Sequence, residues 1–216
     1  MLVGRKLGMT QVYQDDGTAV PVTVIKAGPC VVMQKKAAAT NGGVAAIQLG
    51  FEPVKDSAAA KPQLGAAKKA GIATAFRFLR DMRVDKLDDY QVGQELKVDR
   101  FEPGQKVDVI GVTKGKGFQG VIKRHKHHGG AATHGSMFHR APGGIGASAF
   151  PSRTIKLRGM PGHMGNVQQT TQHLTVVAVY PEDHLLVIRG AVPGAARSMV
   201  MVQPSVKVKH IRKVKK

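Results

Sequence analysis

Apolar and polar residues alternate over most of the chain with the two-residue period of half-buried strands. MTQVYQ (9–14) and AVPVTVIKAG (19–28) flank Asp15–Thr18. The Asp16-Gly17 step suits a tight turn, so the pair predicts a β-hairpin. CVVMQKK (30–36) follows Gly28-Pro29, and GVAAIQLGF (43–51) and FRFLRDMRV (76–84) alternate well enough for two more strands. Residues 55–73 are Ala-, Lys- and Gly-rich without clear patterning and leave room for one short helix. QELKVDRF, the Glu102-Pro103-Gly104 turn and KVDVIGVT predict a second hairpin over 94–113. TQHLTVVAVYPE, HLLVIRGAVPG and SMVMVQPSV give three more strands between 171 and 206. About eight short strands at close turn spacing favour a mainly β fold, a small closed β-barrel in which the N- and C-terminal halves of the chain pair. No internal repeat is visible.

The pattern fails between residues 113 and 166. Only short apolar pairs such as Val121-Ile122 occur there, and residues 111–165 hold thirteen of the 26 glycines. Such a stretch buries too little surface to offset its own ordering entropy. The expected organisation is a discontinuous β domain (1–112 and 167–206), an irregular insertion (113–166) and a basic tail (207–216).

Charge gives the insertion a meaning. The 216 residues carry 33 Lys and Arg against 14 Asp and Glu, a formal net charge of +19. A free protein so imbalanced repels itself, so a polyanionic partner is expected. Eight of the fourteen acids fall between Asp81 and Asp108, reading as the solvated face of strands and turns, and the next is Glu182. The insertion thus has no carboxylate, yet it holds Lys114, Lys116, Lys123, Arg124, Lys126, Arg140, Arg153, Lys156 and Arg158. Six of the nine histidines lie there too: His125, His127, His128, His134, His139 and His163. Basic surfaces of ordinary domains interleave acids. Their exclusion points to a segment lying against phosphate along its length.

Competing chemistries fare worse. GKGFQG (115–120) matches a GxGxxG string after a strand, but no long helix follows and no acid stands about 20 residues on to hold a ribose. The P-loop string is missing, and so is GxSxG. Cys30 stands alone in apolar surroundings, a core residue rather than a nucleophile, and it excludes an internal disulfide or CxxC site. His125, His127 and His128 with His134 and His139 raise a zinc or nickel site, but no carboxylate is near in sequence to orient them. The residues favour RNA contact, with no metal, cofactor or small-molecule substrate. A metal-dependent RNA-processing enzyme and a free RNA chaperone stay open as alternatives. With no Trp, three Tyr and seven Phe the chain is no stacking platform of the RRM type, although Phe118, Phe138 and Phe150 could wedge against bases or pack locally. No apolar run of membrane-spanning length and no signal-peptide-like start are present, so no membrane partner is expected.

Five strings carry a resemblance: GRKLGMTQVYQDDGTAVPVTVIKAGP (4–29), KVDVIGVTKGKGFQGVIKRH (106–125), THGSMFHRAPGGIG (133–146), RGMPGHMGN (158–166) and LLVIRGAVPG (185–194). End to end the chain resembles the bacterial-type large-subunit ribosomal protein L3 (uL3) family. The resemblance implies a translation-protein-type β-barrel with an extension threading 23S-type rRNA toward the peptidyl-transferase centre. It also implies early rRNA binding that nucleates assembly, ribosomal neighbours of the L14 and L19 types, no enzymatic activity, and a cytoplasmic location in the large subunit. Carried over by position, rRNA contact falls on Lys114, Gly115, Lys116, Gly117, Lys123, Arg124, His125, His134, Arg140, Arg153, Lys156, Arg158 and His163. The tip nearest the catalytic centre matches Gly146, Ala147, Ser148, Ala149, Phe150 and Pro151. Some relatives carry a methylated glutamine in this tip. Ala147 and Ala149 stand here instead, so no such methylation is expected. About 27 residues each way reach at most about 90 Å, and order is expected only against RNA.

Overall fold

The computed structural model describes residues 1–207. The tail expected over 207–216 lies outside the described residues from 208 on. The strands are β1 (Leu2–Tyr13), β2 (Ala19–Ala27), β3 (Cys30–Lys36), β4 (Ala46–Val54), β5 (Ala75–Arg83), β6 (Glu95–Leu96), β7 (Lys106–Val112), β8 (Phe118–Gln119), β9 (Gly162–His163), β10 (Gln168–Tyr180), β11 (Leu185–Arg189) and β12 (Met199–Pro204). Two α-helices, α1 (Lys61–Lys69) and α2 (Val121–His125), complete the list with three single-turn 3-10 segments. The chain is mainly β and divides into two compact units, Met1–Val112 with the residues from Gln168 on, and Thr113–Val167.

In the first unit six strands close a ring in the order β1-β12-β7-β10-β11-β2, all antiparallel, with β2 pairing back onto β1. The ends of the chain meet where Leu2 faces Val202 and Arg5 faces Met199. The remaining strands form a separate sheet, β5-β4-β3-β6, so the eight-stranded wall expected from the pattern is instead a ring of six beside a sheet of four. One apolar cluster serves both, with Leu2, Ile25, Val107, Val109, Leu186, Ile188 and Val202 from the ring and Ile47, Leu49, Phe51 and Leu96 from the sheet. Helix α1 falls inside the unpatterned 55–73 stretch. It packs Ala67 on Met33 and Phe76, and the Phe76 ring lies over Gly50, where a methyl group would meet ring carbons at 2.6 Å.

The structure departs from the sequence pattern at two places. Residues 94–113 do not form a hairpin, because β6 pairs with β3 while β7 pairs with β10 and β12. The Glu102–Gln105 turn exists, with Gln105 N–H on the Glu102 carbonyl at 3.1 Å, but Gly104 N–H donates to Val176 at 2.8 Å. Burial of Leu96, Val98 and Phe101 pulls the first arm into the core, with one 3-10 turn at Val98–Arg100, and the turn hands the chain from sheet to ring. Asp108 is also not on a solvated face: it is 1% exposed, and its carboxylate accepts His173 N–H at 3.0 Å and Val206 N–H at 3.4 Å. Burial alone would push its acidity the other way. The hydrogen bonds, His173 N–H foremost, prevail and hold the carboxyl below the usual aspartate range.

Cys30 is fully buried with its thiol on the Val3 carbonyl at 3.3 Å, and burial pushes its pKa up to about 11. It is a core side chain. Among the described residues no helix is long and apolar enough to cross a membrane.

Candidate nucleic-acid interface

The second unit, Thr113–Val167, begins and ends at one place. Thr113 N–H donates to the Val167 carbonyl at 2.9 Å, and Val167 N–H returns to the Thr113 hydroxyl at 3.3 Å. The outgoing and returning chains then run together: Lys116 N–H reaches Met164 O and Met164 N–H reaches Gly117 O, both at 2.9 Å. Phe118 faces His163 in the β8–β9 ladder. These bonds gather Lys114, Gly115, Lys116, Gly117 and His163 into one neck. Gly165 makes the approach possible, since it holds φ +77° and a methyl group there would sit 2.2 Å from the Lys114 carbonyl.

Beyond the neck, α2 spans only Val121–His125. It starts at extended Gly120 and stops where Lys126 turns left-handed at φ +58°. Val121 is the one buried residue of the unit. Lys123, Arg124 and His125 fall in the last turn, where the carbonyl end of the helix favours cations. Both Arg124 Nη1 and His125 Nε2 bond the Met160 carbonyl, at 2.7 and 3.0 Å. This brings α2 beside the return strand, where Gly162 lies under the Arg124 guanidinium and Gly159 under the His125 and His127 rings.

Farther out, Gly130 N–H donates to His139 O at 3.1 Å and His139 Nδ1 bonds Ala131 O at 3.0 Å, closing the loop that carries His134, and Arg140 follows that closure in sequence. The tip, Gly146 to Pro151, is turned by a hydrogen bond from the Ser152 hydroxyl to Ala149 O, with Ser152 at φ +55°. Arg158 donates to Gly144 O.

The thirteen expected contact residues therefore divide. Arg124, His125 and Arg158 spend hydrogen bonds on the segment's own backbone, while a guanidinium with five N–H donors keeps others for a ligand. Among the described residues the side chains of Lys114, Lys116, Lys123, Arg140, Arg153 and Lys156 make no hydrogen bond or ion pair, and all six are exposed. His134 is exposed as well. Apolar exposure is equally marked: Phe118 is 76% exposed, Phe150 90%, Met137 98% and Leu157 fully exposed. Phe118 and Phe150 thus point outward, while Phe138 packs near Gly130. Sequence reading missed Met137, Ile155 and Leu157. Apolar residues without a periodic partner are the signal that could have found them.

Cations without counter-ions beside uncovered apolar groups suit a partner offering both phosphates and base or sugar surface. As for the histidines, the His125 and His127 rings lie tilted to each other at 38° with their centres 5.8 Å apart. Among the described residues no three His, Cys, Asp or Glu side chains converge as metal ligands.

Comparison with known proteins gives the same direction. The family model for ribosomal protein L3 matches residues 72–184, a span that includes the whole second unit. Named large ribosomal subunit protein uL3, a protein of Syntrophus aciditrophicus is 51% identical over 96% of this chain and 94% of its own. The proteins of that name from Geobacter sulfurreducens and Heliobacterium modesticaldum are each 51% identical, covering 95% and 96% of this chain and 97% and 98% of their own. The chain belongs to the uL3 family, whose members are ribosomal proteins of the large subunit and not enzymes.

Proposed function

We propose that this uL3 chain is a structural constituent of the large ribosomal subunit in the cytoplasm, and that residues 113–166 are its rRNA-binding extension. The six-stranded ring is read as the translation-protein-type barrel that carries the extension. The observation that bears most weight is the second unit itself: nine Lys and Arg, no carboxylate, and a single buried side chain.

Lys114, Lys116, Lys123, Arg140, Arg153 and Lys156 neutralise phosphates, releasing the counter-ions condensed on RNA. Arg124, His125 and Arg158 hold the backbone in shape and offer their remaining donors. Gly115, Gly117 and His163 shape the neck where it meets RNA, and His134 donates from its loop. Residues 146–151 buttress the RNA around the peptidyl-transferase centre without reacting. Ser148, Phe150 and the backbone supply those contacts, and Ala147 and Ala149 offer no amide for methylation. Binding 23S-type rRNA early, the protein helps nucleate subunit assembly beside neighbours of the L14 and L19 types.

The test is sedimentation of native lysate through high-salt sucrose gradients, with and without RNase, following this chain by mass spectrometry. Comigration with the large subunit that survives salt and collapses with RNase is expected. Recovery at the top of the gradient, free of rRNA, would refute the reading.

A further inference from the structure

The hairpin of β1 and β2 is unlike the rest of this chain. Between Lys6 and Lys26 there is no Lys or Arg, while Asp15 and Asp16 sit at its turn, in a protein with 33 basic residues. Its outer half has lost its neighbour on one side. Strand β12 accompanies β1 only to Arg5, opposite Met199, and the last bonds are Lys6 N–H to Ser198 O at 3.0 Å and Arg197 N–H to Lys6 O at 2.7 Å. A bulge between Lys6 and Gly8 then shifts the register, and β1 continues paired with β2 alone as far as Tyr13.

The direction of the free groups follows from the ladder. Gln14 N–H bonds Thr18 O at 3.1 Å, so the even-numbered residues Val12 and Thr10 also bond inward to β2. Pro21, opposite Gln11, turns its carbonyl the other way to accept Gly190 N–H at 2.9 Å, which agrees. Met9, Gln11 and Tyr13 therefore turn their N–H and C=O groups to the open side, where no strand among the described residues pairs with them. Proteins usually blunt such an edge with lysine, proline or a covering element. Here the edge reads LGMTQVY (7–13), uncharged and β-prone, with Leu7 43%, Met9 53% and Tyr13 64% exposed.

We propose that the Met9–Gln11–Tyr13 edge is a protein-docking site that takes an extended strand of a neighbouring protein by β-augmentation. Charge selects the occupant. A phosphate backbone would meet two carboxylates and no cation, whereas a strand flanked by Lys or Arg complements Asp15 and Asp16. The hairpin is thus the face turned to protein and the second unit the face turned to RNA. This inference rests on the reading of the chain as a large-subunit component.

Because the one native cysteine is buried, a cysteine introduced at the edge is the single accessible thiol. Met9→Cys, Gln11→Cys and Tyr13→Cys chains, each labelled with a short benzophenone maleimide, are incorporated into large subunits and irradiated, and the crosslinked peptides are sequenced. The expected result is one protein segment bearing Lys or Arg, with the contacts from positions 9, 11 and 13 stepping along it by about two residues each. A Gln11→Pro chain removes an outward N–H and leaves the β2 ladder whole. It should enter subunits normally while the crosslink from position 13 to that segment falls by about tenfold, the loss of one or two backbone hydrogen bonds. Crosslinks to rRNA, to a second copy of this chain, or to scattered protein sites in subunits that contain the labelled chain would overturn the docking site. Failure of the unlabelled chain to enter subunits would instead overturn the reading it rests on.

Discussion

Arg124 and Met160 stand 36 residues apart in sequence, yet the guanidinium of one donates to the carbonyl of the other at 2.7 Å. Through this bond α2 is tied to the return strand in a segment that has almost no apolar core. Gly162 lies beneath the guanidinium, where a methyl group would come within 2.6 Å of Nη1. A side chain that sequence alone marks as a phosphate contact is also a structural clasp.

Arg124 and Lys123 should therefore behave differently when truncated. Lys123 is exposed and has no side-chain partner among the described residues, so Lys123→Ala should weaken rRNA binding and leave the free protein unchanged. Arg124→Ala should in addition speed hydrogen exchange across 158–163 in the free protein. Arg124→Lys should rescue that only in part, because an ammonium lacks the planar fork of a guanidinium. Identical exchange in all three proteins would show that the clasp holds nothing.

The neck offers a glycine contrast. Gly165 has φ +77° and its methyl position lies 2.2 Å from the Lys114 carbonyl, whereas a methyl on Gly115 would meet nothing nearer than Asn166 Cβ at 3.7 Å. Gly165→Ala should open the neck at a cost of about 1–3 kcal/mol of backbone strain, with faster exchange of the Lys116 and Met164 amides. Gly115→Ala should leave those amides as they are. Equal exchange in the two variants would contradict the packing argument.

Asp108 links β7 to β10 at His173, where the β7–β10 register shifts between Thr171 and Leu174, and to Val206 just past β12. Its folded-state pKa is lowered, so its contribution is fully present above the ordinary aspartate value of about 4 and fades as pH falls toward the folded value. Asp108→Asn puts an amide N–H₂ where one of two backbone N–H groups needs an acceptor, and should cost about 1–3 kcal/mol at pH 7. Urea unfolding at pH 7 and pH 3 checks the sign: the gap between wild type and variant should shrink in acid. A gap of the same size at both pH values would show that the charge of Asp108 plays no part.

What the sequence revealed and what it hid follow from the range of the forces involved. The β1–β2 hairpin was legible because the Asp16-Gly17 turn and two alternating arms are local. The same logic misled at 94–113, where the Glu102–Gln105 turn is real but the partners of its arms, β3 on one side and β10 and β12 on the other, are set by burial of Leu96, Val98 and Val107. Asp108 looked like one more solvated acid, since nothing near it in sequence announces that His173 and Val206 supply its donors. The nine cations and the missing carboxylates of 113–166 could be counted directly. How Arg124, His125 and Arg158 differ from Lys114, Lys116 and Lys156 could not, because carbonyls some 14 to 36 residues away make the difference.

Salt dependence measures how many of these cations reach phosphate. On the proposed function eight of them, Lys114, Lys116, Lys123, Arg124, Arg140, Arg153, Lys156 and Arg158, would meet rRNA phosphate. Each phosphate neutralised releases a fraction of a counter-ion, so log affinity against log salt concentration should fall with a slope of roughly −6 to −7 for eight contacts. Filter binding of the protein to its rRNA domain over a range of KCl gives that slope. Lys116→Ala and Lys156→Ala should each make it shallower by about one, and the double variant by about two, because the two residues lie in separate parts of the segment and share no partner. Phe150→Ala should weaken binding by about 1–3 kcal/mol if the ring stacks on a base, with the slope unchanged, since no charge is removed. A lysine variant that weakens binding without moving the slope would place that lysine away from phosphate, and a slope near zero in the wild type would remove the electrostatic basis of the interface altogether.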